Sequence, residues 1–336
     1  MITFHDATRQ QWQKAFEKFD DANFMQSWEW GEVQDDVGHE AVRRLIKRND
    51  KLVGLMACTV KHAKRGRFLE VGAGPLIDWD DEDLRRATRD ELVKLAREHG
   101  CVFVRIRPQI ADDPAYYDVM KQLGAVSAQM PLAAEHTTIV DLTQDLDTLL
   151  KNMRQQTRYE VRRSQKRGVE VSFDRSLESL GELHKLQADT ALRQHFIPPS
   201  KRYLESSLER FGDDARIYRA SKEGETLNLS MIVFSGKEAA YYEAGSTPAA
   251  RREPGAYAII WQAMQDAKAQ GLTRFNLWGV APPNQPHHRF AGVTTFKRGF
   301  GGRDVAYLHA HDIIVSPLRY RLNWLVELAR KKRRNL

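Results

Sequence analysis

A lysine set between two aromatic residues and followed by glycines is the most distinctive chemical feature of the sequence. Residues 293–302 read VTTFKRGFGG, so Phe296 precedes Lys297 and Arg298 follows it. Glycines at this place permit a ligand to approach the backbone closely, although the spacing is not that of a P-loop. Two interpretations are open, a ligand-binding segment and a strand that ends in a glycine turn, and we expect the strand and turn.

The densest positive charge lies in residues 151–168, which contain seven Lys or Arg and a single Glu. Four of these cations recur at every fourth residue, which aligns them on one face of a helix. Like charges at that spacing repel one another and destabilise the helix unless an anion binds there. Contact with a polyanion and a solvated helix face are both open interpretations. We call this set the basic ridge: Arg154, Arg158, Arg162 and Lys166.

Other candidate residues give weaker signals. Tyr241 and Tyr242 end a predicted strand, where they either line a cleft or face the two sides of a sheet. Trp30 opens a predicted helix, and core packing is its default role. His309 and His311 share one face of a strand, but no third residue stands at a spacing that completes a metal site. We therefore predict no bound metal.

Two stretches of the chain share one order of predicted elements. Residues 53–108 and 227–280 each read as two strands, a short segment containing Glu, a helix, and a strand that follows a glycine. Glu70 of the first stretch corresponds to Glu243 of the second. Since fixed offsets indicate internal repeats, we interpret this pattern as a duplication of one α/β unit.

The duplication predicts where the domains begin and end. We expect residues 1–140 to form the first unit and residues 141–310 the second, with residues 311–336 returning to the first. The strand-like segment 135–142 would close the first unit. Pro317 opens a final amphipathic helix, whose apolar face is expected to pack on the first unit. That predicted apolar face comprises Leu318, Leu322, Leu325 and Ala329.

Length and composition limit the class of protein. A chain of 336 residues favours two domains, and 29% charged residues favour a soluble globular protein. The net charge of +7 admits an anionic partner without requiring one. No run approaches the ~18 apolar residues that span a bilayer, and the start does not read as a secretory signal. Two isolated cysteines, Cys58 and Cys101, argue against disulfides and favour the reducing cytoplasm.

The repeated unit resembles the N-acetyltransferase-like (GNAT) fold, an α/β (α+β) fold in which a β-meander is followed by a helix and a strand. That fold binds the CoA pyrophosphate at the start of the helix, where small residues must follow a basic one. The first unit has the acidic segment 78–83 at this place, and carboxylates repel phosphate. The second unit has Tyr257 where a small residue is needed. We therefore predict that neither unit binds CoA and that the protein uses no cofactor.

Taken together, the segments resemble the Fem-type transferases (FemA, FemB and FemX) over nearly the whole chain. That family moves an amino acid from aminoacyl-tRNA to the stem peptide of a peptidoglycan precursor. Its fold is a tandem of GNAT-like units that do not use CoA. Some members carry a helical coiled-coil arm, for which this chain has no heptad pattern, so the resemblance is to the arm-less FemX type. The matching segments are residues 24–31, 153–169, 241–246, 275–280 and 295–302.

The resemblance implies roles for individual residues. Phe296 and Lys297 match a pair that lies near the acyl-transfer centre, and Tyr203 matches a tyrosine that touches the precursor. Glu243 stands in place of a second substrate tyrosine. Glu243 and Asp304 are candidate bases for the proton of the amine, and the substrate itself or water is the alternative. The implied substrate-binding residues are Tyr203, Tyr241, Tyr242, Trp30, Arg251 and Arg252. The implied tRNA-binding residues are Arg154, Arg158, Arg162, Lys166 and Arg298.

The sequence also departs from the family pattern. Glu32 or Gln34 stands where the arm-less type has a lysine that meets the phosphates of the precursor. Pro199 replaces an arginine that precedes the precursor tyrosine. The acceptor therefore differs, or other cations such as Arg251 and Arg252 bind it. The acceptors implied by the resemblance are a lipid-linked precursor (lipid II) and a nucleotide-linked one (UDP-MurNAc-pentapeptide).

The implied reaction is direct aminolysis of the aminoacyl ester, with Lys297 stabilising the oxyanion or the leaving ribose oxygen.

The basic tail at residues 330–334, with Tyr320 and Trp324 upstream, suits an anionic membrane surface. A packed helix with a basic end is the alternative. We expect a cytoplasmic monomer. Two other functions are open, an acyl-CoA-dependent N-acyltransferase and a non-catalytic RNA-binding protein.

Overall fold

The computed structural model describes residues 1–63, 66–194, 198–288 and 290–334. The chain divides into two compact units. The first combines Met1–Glu135 with Ala306–Leu336, and the second is His136–Val305.

The first unit begins with a short strand, which two helices and a meander follow. In chain order its elements are β1 (Ile2–His5), α1 (Arg9–Phe16), α2 (Trp28–Asp36), β2 (Glu40–Arg48), β3 (Lys51–Ala63), β4 (Gly66–Gly72), β5 (Leu76–Ile77), α3 (Glu82–Glu98), β6 (Cys101–Arg107), α4 (Pro114–Gln122) and β7 (Ala125–Ser127).

The second unit follows the same general order. Its elements are β8 (His136–Asp141), α5 (Leu146–Asn152), α6 (Gln155–Lys166), β9 (Glu170–Asp174), α7 (Leu177–Gln194), α8 (Lys201–Phe211), β10 (Ala215–Lys222), β11 (Glu225–Ser235), β12 (Glu238–Ser246), α9 (Gly255–Ala269), β13 (Arg274–Gly279), α10 (Ala291–Arg298) and β14 (Arg303–Ala306). The chain then returns to the first unit as β15 (His311–Ile314) and α11 (Pro317–Arg334).

Each unit has its own sheet, and the two sheets share a motif. The first sheet runs in the order β1-β2-β3-β4-β6-β15-β7, with β5 on β3, and the second runs β14-β8-β13-β12-β11-β10-β9. In both, an antiparallel meander is followed by a parallel neighbour, β6 beside β4 and β13 beside β12. A parallel neighbour needs a crossover connection, which α3 and α9 supply.

The two crossover helices form for ordinary sequence reasons. Asp81 caps α3 by accepting a hydrogen bond from the Leu84 backbone N–H at 3.0 Å. Leu84, Leu92 and Leu95 of α3 are buried, as expected of an amphipathic helix on a sheet. The second helix, α9, is apolar around more of its circumference, and Ile259, Ile260 and Met264 lie in the core of the second unit. The helices therefore bury one face of each sheet.

The predicted end of the first unit is wrong by one strand. The segment 135–142 was expected to close that unit, but β8 pairs antiparallel with β13, with Val140 opposite Phe275. Val140 and Leu142 are buried in the core of the second unit. The strand pattern alone does not say which sheet a strand joins, because either sheet would bury the same apolar residues.

The final helix packs on the first sheet by a different face from the one predicted. Tyr320 is buried against Val102 and Phe103, and Trp324 packs on the same cluster. The predicted face is solvent-exposed instead, with Leu318 79%, Leu322 65% and Leu325 56% exposed. The choice of face follows from buried polar groups of the first sheet, which the residues Tyr320 and Glu327 satisfy.

Arg105 on β6 makes bidentate hydrogen bonds to Asp312 at 2.7 and 2.8 Å. The same guanidinium contacts Glu327 of α11 at 3.2 and 2.8 Å. The Tyr320 hydroxyl donates to Asp312 at 2.9 Å. Because unpaired buried charges are costly, this network fixes which side of α11 faces the sheet.

Among the described residues, no helix has the length and apolar character required to cross a bilayer. The longest helices in that part of the chain, α7 and α11, each have 18 residues. The described residues therefore contain no long paired helical arm. The basic tail lies at the end of α11, and the side chains of residues 332–334 lie outside the described part of the structure.

Candidate active site

Lys297 lies on a helix, which corrects the predicted strand and glycine turn. Residues Ala291–Arg298 form α10, and the Thr294 hydroxyl in its first turn donates to the Phe290 carbonyl at 2.7 Å. The β-branched residues of this segment favour strands in general. Tertiary packing overrides that preference, because Phe296 and Phe300 turn toward the core of the second unit.

The Lys297 side chain is buried, with 8% of the residue exposed. Its Nζ atom donates a hydrogen bond to the Gly279 carbonyl at 2.9 Å. The same nitrogen lies 5.9 Å from the ring centre of Tyr241 and 5.7 Å from that of Phe290. These distances allow cation–π attraction to both rings. The lysine is therefore fixed in place by one carbonyl and two aromatic faces.

Burial shifts the protonation of Lys297 and of Glu243 toward the uncharged forms. Burial lowers the pKa of Lys297 to about 7, and the nearby Glu243 carboxylate opposes this shift. Burial raises the pKa of Glu243 to about 7, against a hydrogen bond from Gln187 and the charge of Lys297. An acid and a base whose pKa values lie near neutrality are suited to proton transfer. The pair is a candidate for acid–base chemistry.

Gly279, whose carbonyl accepts the hydrogen bond from Lys297, comes directly after a residue with a strained backbone. Trp278 has φ of +59°, which is unusual for a bulky residue. Asn276 stabilises this conformation, because its Oδ1 accepts from the Trp278 N–H at 2.9 Å and from the Thr137 hydroxyl at 2.5 Å. A Cβ at Gly279 would lie 2.3 Å from the Phe290 ring. Strain of this kind is often found at functional sites.

Two tyrosines and a tryptophan lie together at the end of β13, the strand that contains Gly279. The hydroxyls of Tyr203 and Tyr242 are 2.5 Å apart, and the Tyr242 ring meets the Trp278 ring edge-on at 5.5 Å. The register between β11 and β12 shifts at Tyr242, because Met231 pairs with Glu243 and Ile232 with Tyr241. Such a bulge re-aims side chains. Tyr203 from α8 thus meets Tyr242 of β12, and Tyr241 of the same strand contacts Lys297.

The tyrosine that argued against CoA binding packs beneath α10. Tyr257, at the start of α9, meets Phe296 edge-on at 4.9 Å and lies 5.9 Å from Phe300. Phe296 also meets Phe300 at 5.3 Å. Phe296 is therefore part of an aromatic cluster that supports the helix of Lys297.

The glycines after Lys297 allow close chain packing rather than ligand approach. A Cβ at Gly299 would lie 2.2 Å from Thr157 Oγ1, and one at Gly301 would lie 2.6 Å from the Asn152 carbonyl. The Gly299 carbonyl also accepts from the Arg154 N–H at 2.9 Å. The glycine segment thus joins the helix of Lys297 to the start of α6, which contains the basic ridge.

The basic ridge is less continuous than its spacing predicts. Arg154, Arg162 and Lys166 are exposed. Arg158 is half-buried, and its Nη1 donates to the carbonyls of Leu150, Lys151 and Met153 at 2.8 to 3.4 Å. The Arg158 guanidinium therefore caps the end of α5 and is engaged within the protein. The other three cations face solvent.

The remaining predicted cations and the alternative base differ in their surroundings. Arg298 donates to Asp304 at 2.6 Å and to the Ala281 carbonyl at 3.2 Å. Asp304 also accepts from Thr138 at 2.7 Å, so Asp304 is a poorer candidate base than Glu243. Arg251 and Arg252 are exposed beside the start of α9.

Trp30 belongs to the first unit and is 8% exposed. Its ring meets Phe24 edge-on at 5.3 Å. Trp30 therefore packs in the first unit, and its contact with the substrate stays a prediction of the resemblance.

A cation lies beside Gln34, where the resemblance implied a lost lysine. Lys61 on β3 donates to Gln34 Oε1 at 2.7 Å and lies 3.6 Å from a Glu70 carboxylate oxygen. Sequence spacing could not reveal this neighbour, because Lys61 comes from a different element. Sequence reasoning likewise missed Gln187. It included Asn276, Trp278 and Gly279 in the matching segment 275–280 without assigning them a role.

The two histidines that were considered as metal ligands have other partners. His309 lies 2.7 Å from a Glu135 carboxylate oxygen and 2.8 Å from the Ala128 carbonyl. His311 lies 2.7 Å from the His309 carbonyl. Within the described residues, no cluster of three His, Cys, Asp or Glu side chains has the arrangement of a metal site.

Comparison with known proteins gives consistent results. The sequence profile of the FemAB family matches residues 8–227 and 219–328. The chain is 22% identical to the aminoacyltransferase FemA of Staphylococcus aureus, over 81% of this chain and 85% of that protein. It is similar to the crystal structure of FemX, with a TM-score of 0.85 and 16% identity over 95% of this chain and 99% of that one. A tandem GNAT protein from the clavulanic acid pathway matches with a TM-score of 0.58 and 12% identity, over 94% and 99% of the two chains.

These similarities confirm two predictions from the sequence. The α/β fold of tandem GNAT-like units is confirmed by the two structural matches. The resemblance to Fem-type proteins is confirmed by the family profile, which covers most of the chain. The chain belongs to the FemAB family.

Proposed function

We propose that this protein transfers an amino acid from aminoacyl-tRNA to the stem peptide of a peptidoglycan precursor, as a step in building an interpeptide bridge. One observation carries the proposal: in a chain of the FemAB family, the buried Lys297 shares a site with Glu243, and the pKa of each lies at about 7. The name of the similar Staphylococcus aureus protein, an aminoacyltransferase, supports the same reaction class.

The chemistry is aminolysis of an ester. The amine of the stem peptide attacks the aminoacyl carbonyl carbon, a C–N bond forms, and the C–O bond to the tRNA ribose breaks. Glu243 takes the proton that the amine loses, and Lys297 donates a proton or hydrogen bond to the leaving ribose oxygen. The products are an amide and a free tRNA hydroxyl. Removal of one donor to a developing oxyanion typically costs about 3–4 kcal/mol of transition-state stabilisation.

The tyrosines and the tryptophan are proposed to position the acceptor. The Tyr203–Tyr242 pair and the Trp278 ring offer two hydroxyls and an aromatic face next to the strand that supports Lys297. Aromatic groups with polar ends suit a peptide that needs both apolar contact and hydrogen bonds. Tyr241 contributes through its contact with Lys297.

Exposed cations are proposed to bind the phosphates of the two substrates. Arg154, Arg162 and Lys166 would contact the tRNA backbone, an interaction that weakens with salt. Arg251 and Arg252 are proposed to bind the acceptor.

The acceptor is a precursor linked either to a lipid (lipid II) or to a nucleotide (UDP-MurNAc-pentapeptide). We propose that the protein works as a monomer in the cytoplasm, where charged tRNA is available. A peripheral contact with the inner face of the plasma membrane would bring it to a lipid-linked acceptor.

The test is transfer of a labelled amino acid from charged tRNA to each of the two acceptors by the purified full chain. The proposal predicts label in at least one acceptor, with one free tRNA released for each amide formed. Label that comes from acyl-CoA and not from tRNA would replace this function with N-acyl transfer from CoA. Absence of label in both acceptors, with folded protein that still retains tRNA, would leave only an RNA-binding role.

A further inference from the structure

The outer face of α11 presents leucines to solvent. Leu318, Leu322 and Leu325 are more than half exposed, and Ala329 lies on the same side of the helix. Their spacing of three or four residues makes one continuous apolar stripe. The opposite side of the helix is occupied by its contacts with the first sheet. The leucine stripe is therefore a second apolar face, left over after the helix has packed.

Positive charge borders the leucine stripe on both sides. At 100° per residue, Arg319 and Arg330 lie along one edge of the stripe and Arg321 along the other. The sequence from Pro317 to Arg334 contains seven Lys or Arg and one acidic residue, Glu327. That glutamate is turned inward and binds Arg105. Among the described residues, the solvent-facing side of α11 thus combines leucines with cations and has no outward-facing acidic side chain.

We propose that this face of α11 docks on the surface of an anionic phospholipid bilayer. An amphipathic helix with leucines on one side and arginines at its edges buries the leucines at the boundary between head groups and acyl chains. The arginines reach anionic head groups with their long side chains, and each cation near such a surface adds to binding. Neither the leucines nor the arginines of this face are needed for the fold contacts of α11.

A second copy of this chain is a poorer occupant of the same face. A symmetric dimer brings the same patch of two subunits together, so it would place the arginines of one copy against those of the other. Like charges across an interface disfavour association. An anionic lipid surface satisfies the leucines and the cations at once.

The purpose of this contact rests on the proposed function, because a membrane surface would present a lipid-linked acceptor. The binding itself needs neither tRNA nor precursor. It can therefore be measured on the full chain without any substrate, and failure of lipid binding is distinguishable from failure of transfer.

The experiment is flotation of the purified full chain with vesicles of phosphatidylglycerol and phosphatidylcholine, and with vesicles of phosphatidylcholine alone. We expect binding to the anionic vesicles that decreases with added salt. Leu322→Gln is expected to weaken it about tenfold, because a leucine no longer leaves water. Leu177→Gln is the matched control, since Leu177 is also 65% exposed but lies at the start of α7. Transfer to the nucleotide-linked acceptor should be the same for both variants.

Three outcomes would overturn the inference. The first is that the folded wild-type chain does not float with anionic vesicles. The second is that Leu322→Gln binds these vesicles as tightly as the wild type does. A change from dimer to monomer in Leu322→Gln, with vesicle binding unaltered, would instead assign the face to a second copy. Circular dichroism of the variants excludes loss of the helix as the cause of weaker binding.

Discussion

At the scale of single residues, the central feature is a lysine and a glutamate whose pKa values both lie at about 7. Both shifts have the same cause, because burial penalises the charged form of each side chain. The charge of each partner opposes the shift of the other. The proposed mechanism requires the form in which Lys297 is protonated and Glu243 is ionised.

The first prediction is a bell-shaped pH dependence of kcat/KM with its maximum near pH 7. As the pH falls, Glu243 gains a proton and can no longer act as base. As the pH rises, Lys297 loses the charge that stabilises the oxyanion. Glu243→Gln should lower the rate about 10²–10⁴-fold and remove the acid limb. It should also move the alkaline limb to lower pH, because the carboxylate that raises the pKa of Lys297 is gone.

Steady-state transfer measured between acid and alkaline pH checks this prediction. Glu182→Gln serves as control, because Glu182 forms an ion pair with Arg219 rather than with Lys297. An acid limb that persists in Glu243→Gln would contradict the assignment of Glu243 as base.

Residue types alone indicated Lys297 as a candidate, because a lysine among aromatics and glycines is unusual. They could not predict its burial, its bond to the Gly279 carbonyl or the strain at Trp278. Those properties depend on Asn276 and Thr137, which meet only when β8 and β13 pair. The glycines of the same segment closely approach Asn152 and Thr157 of the protein itself and not a ligand, a contact that the sequence could not show.

At the scale of elements, α10 and α6 determine what the site can do. α10 presents Lys297 from its last turn, and the Tyr257–Phe296–Phe300 cluster supports it from below. The Arg154 N–H bond to Gly299 joins α6 to the end of α10. A change in the position of either helix should therefore displace Lys297.

The second prediction concerns the aromatic support of α10. Tyr257→Ala should destabilise the protein by about 2 kcal/mol, because it removes a half-buried ring from the cluster. It should also lower kcat about tenfold, since a small displacement of a catalytic group is costly. Tyr257→Phe keeps the ring contacts and should leave both stability and kcat near those of the wild type. Urea unfolding and transfer kinetics provide the two readouts. Equal kcat for the two variants would mean that the aromatic cluster does not position Lys297.

The third prediction concerns the exposed cations of the basic ridge. Arg162→Glu combined with Lys166→Glu should weaken tRNA retention. It should also reduce the magnitude of the negative slope of log K against log salt by about two. Arg97→Glu combined with Lys121→Glu changes the net charge equally but alters exposed cations of α3 and α4 in the first unit. Filter binding at several salt concentrations compares the two pairs. Similar losses in both would mean that net charge, and not the ridge, determines binding.

Arg158 should behave differently from the rest of the ridge, and this difference shows the limit of helical spacing as a guide. The four-residue repeat correctly places Arg154, Arg162 and Lys166 on an exposed helix. It cannot reveal that Arg158 bends back to the carbonyls of α5. The strand predicted for residues 293–302 failed in the same way, because tertiary packing overrode the local preference of Val and Thr.

At the scale of the whole molecule, the chain is one α/β unit used twice, and its last helix returns to the first sheet. The matching order of elements made this duplication predictable from the sequence. The packing face of α11 was not predictable, because it is determined by partners far away in the chain. Arg105 and Asp312 are 207 positions apart, and Glu327 lies further still.

The fourth prediction concerns this buried network. Arg105→Met should cost about 3–5 kcal/mol, because it leaves Asp312 and Glu327 buried without their partner. Arg9→Met is the matched control, since Arg9 also contacts two carboxylates but is about half exposed, and it should cost less than about 1 kcal/mol. Urea unfolding followed by tryptophan fluorescence gives both values. Equal costs would mean that the network does not hold α11 on the sheet.

A single-turnover measurement of aminoacyl transfer by Lys297→Met tests the role proposed for this lysine. Lys268→Met is its matched control, because the Lys268 Nζ likewise donates to a backbone carbonyl, that of Leu142, at 2.9 Å. If Lys297 stabilises the reacting oxygen, Lys297→Met should lower the rate about 10²–10³-fold while tRNA retention is unchanged. Lys268→Met should transfer at nearly the wild-type rate. A Lys297→Met variant that transfers as fast as Lys268→Met would contradict the proposed role of this lysine.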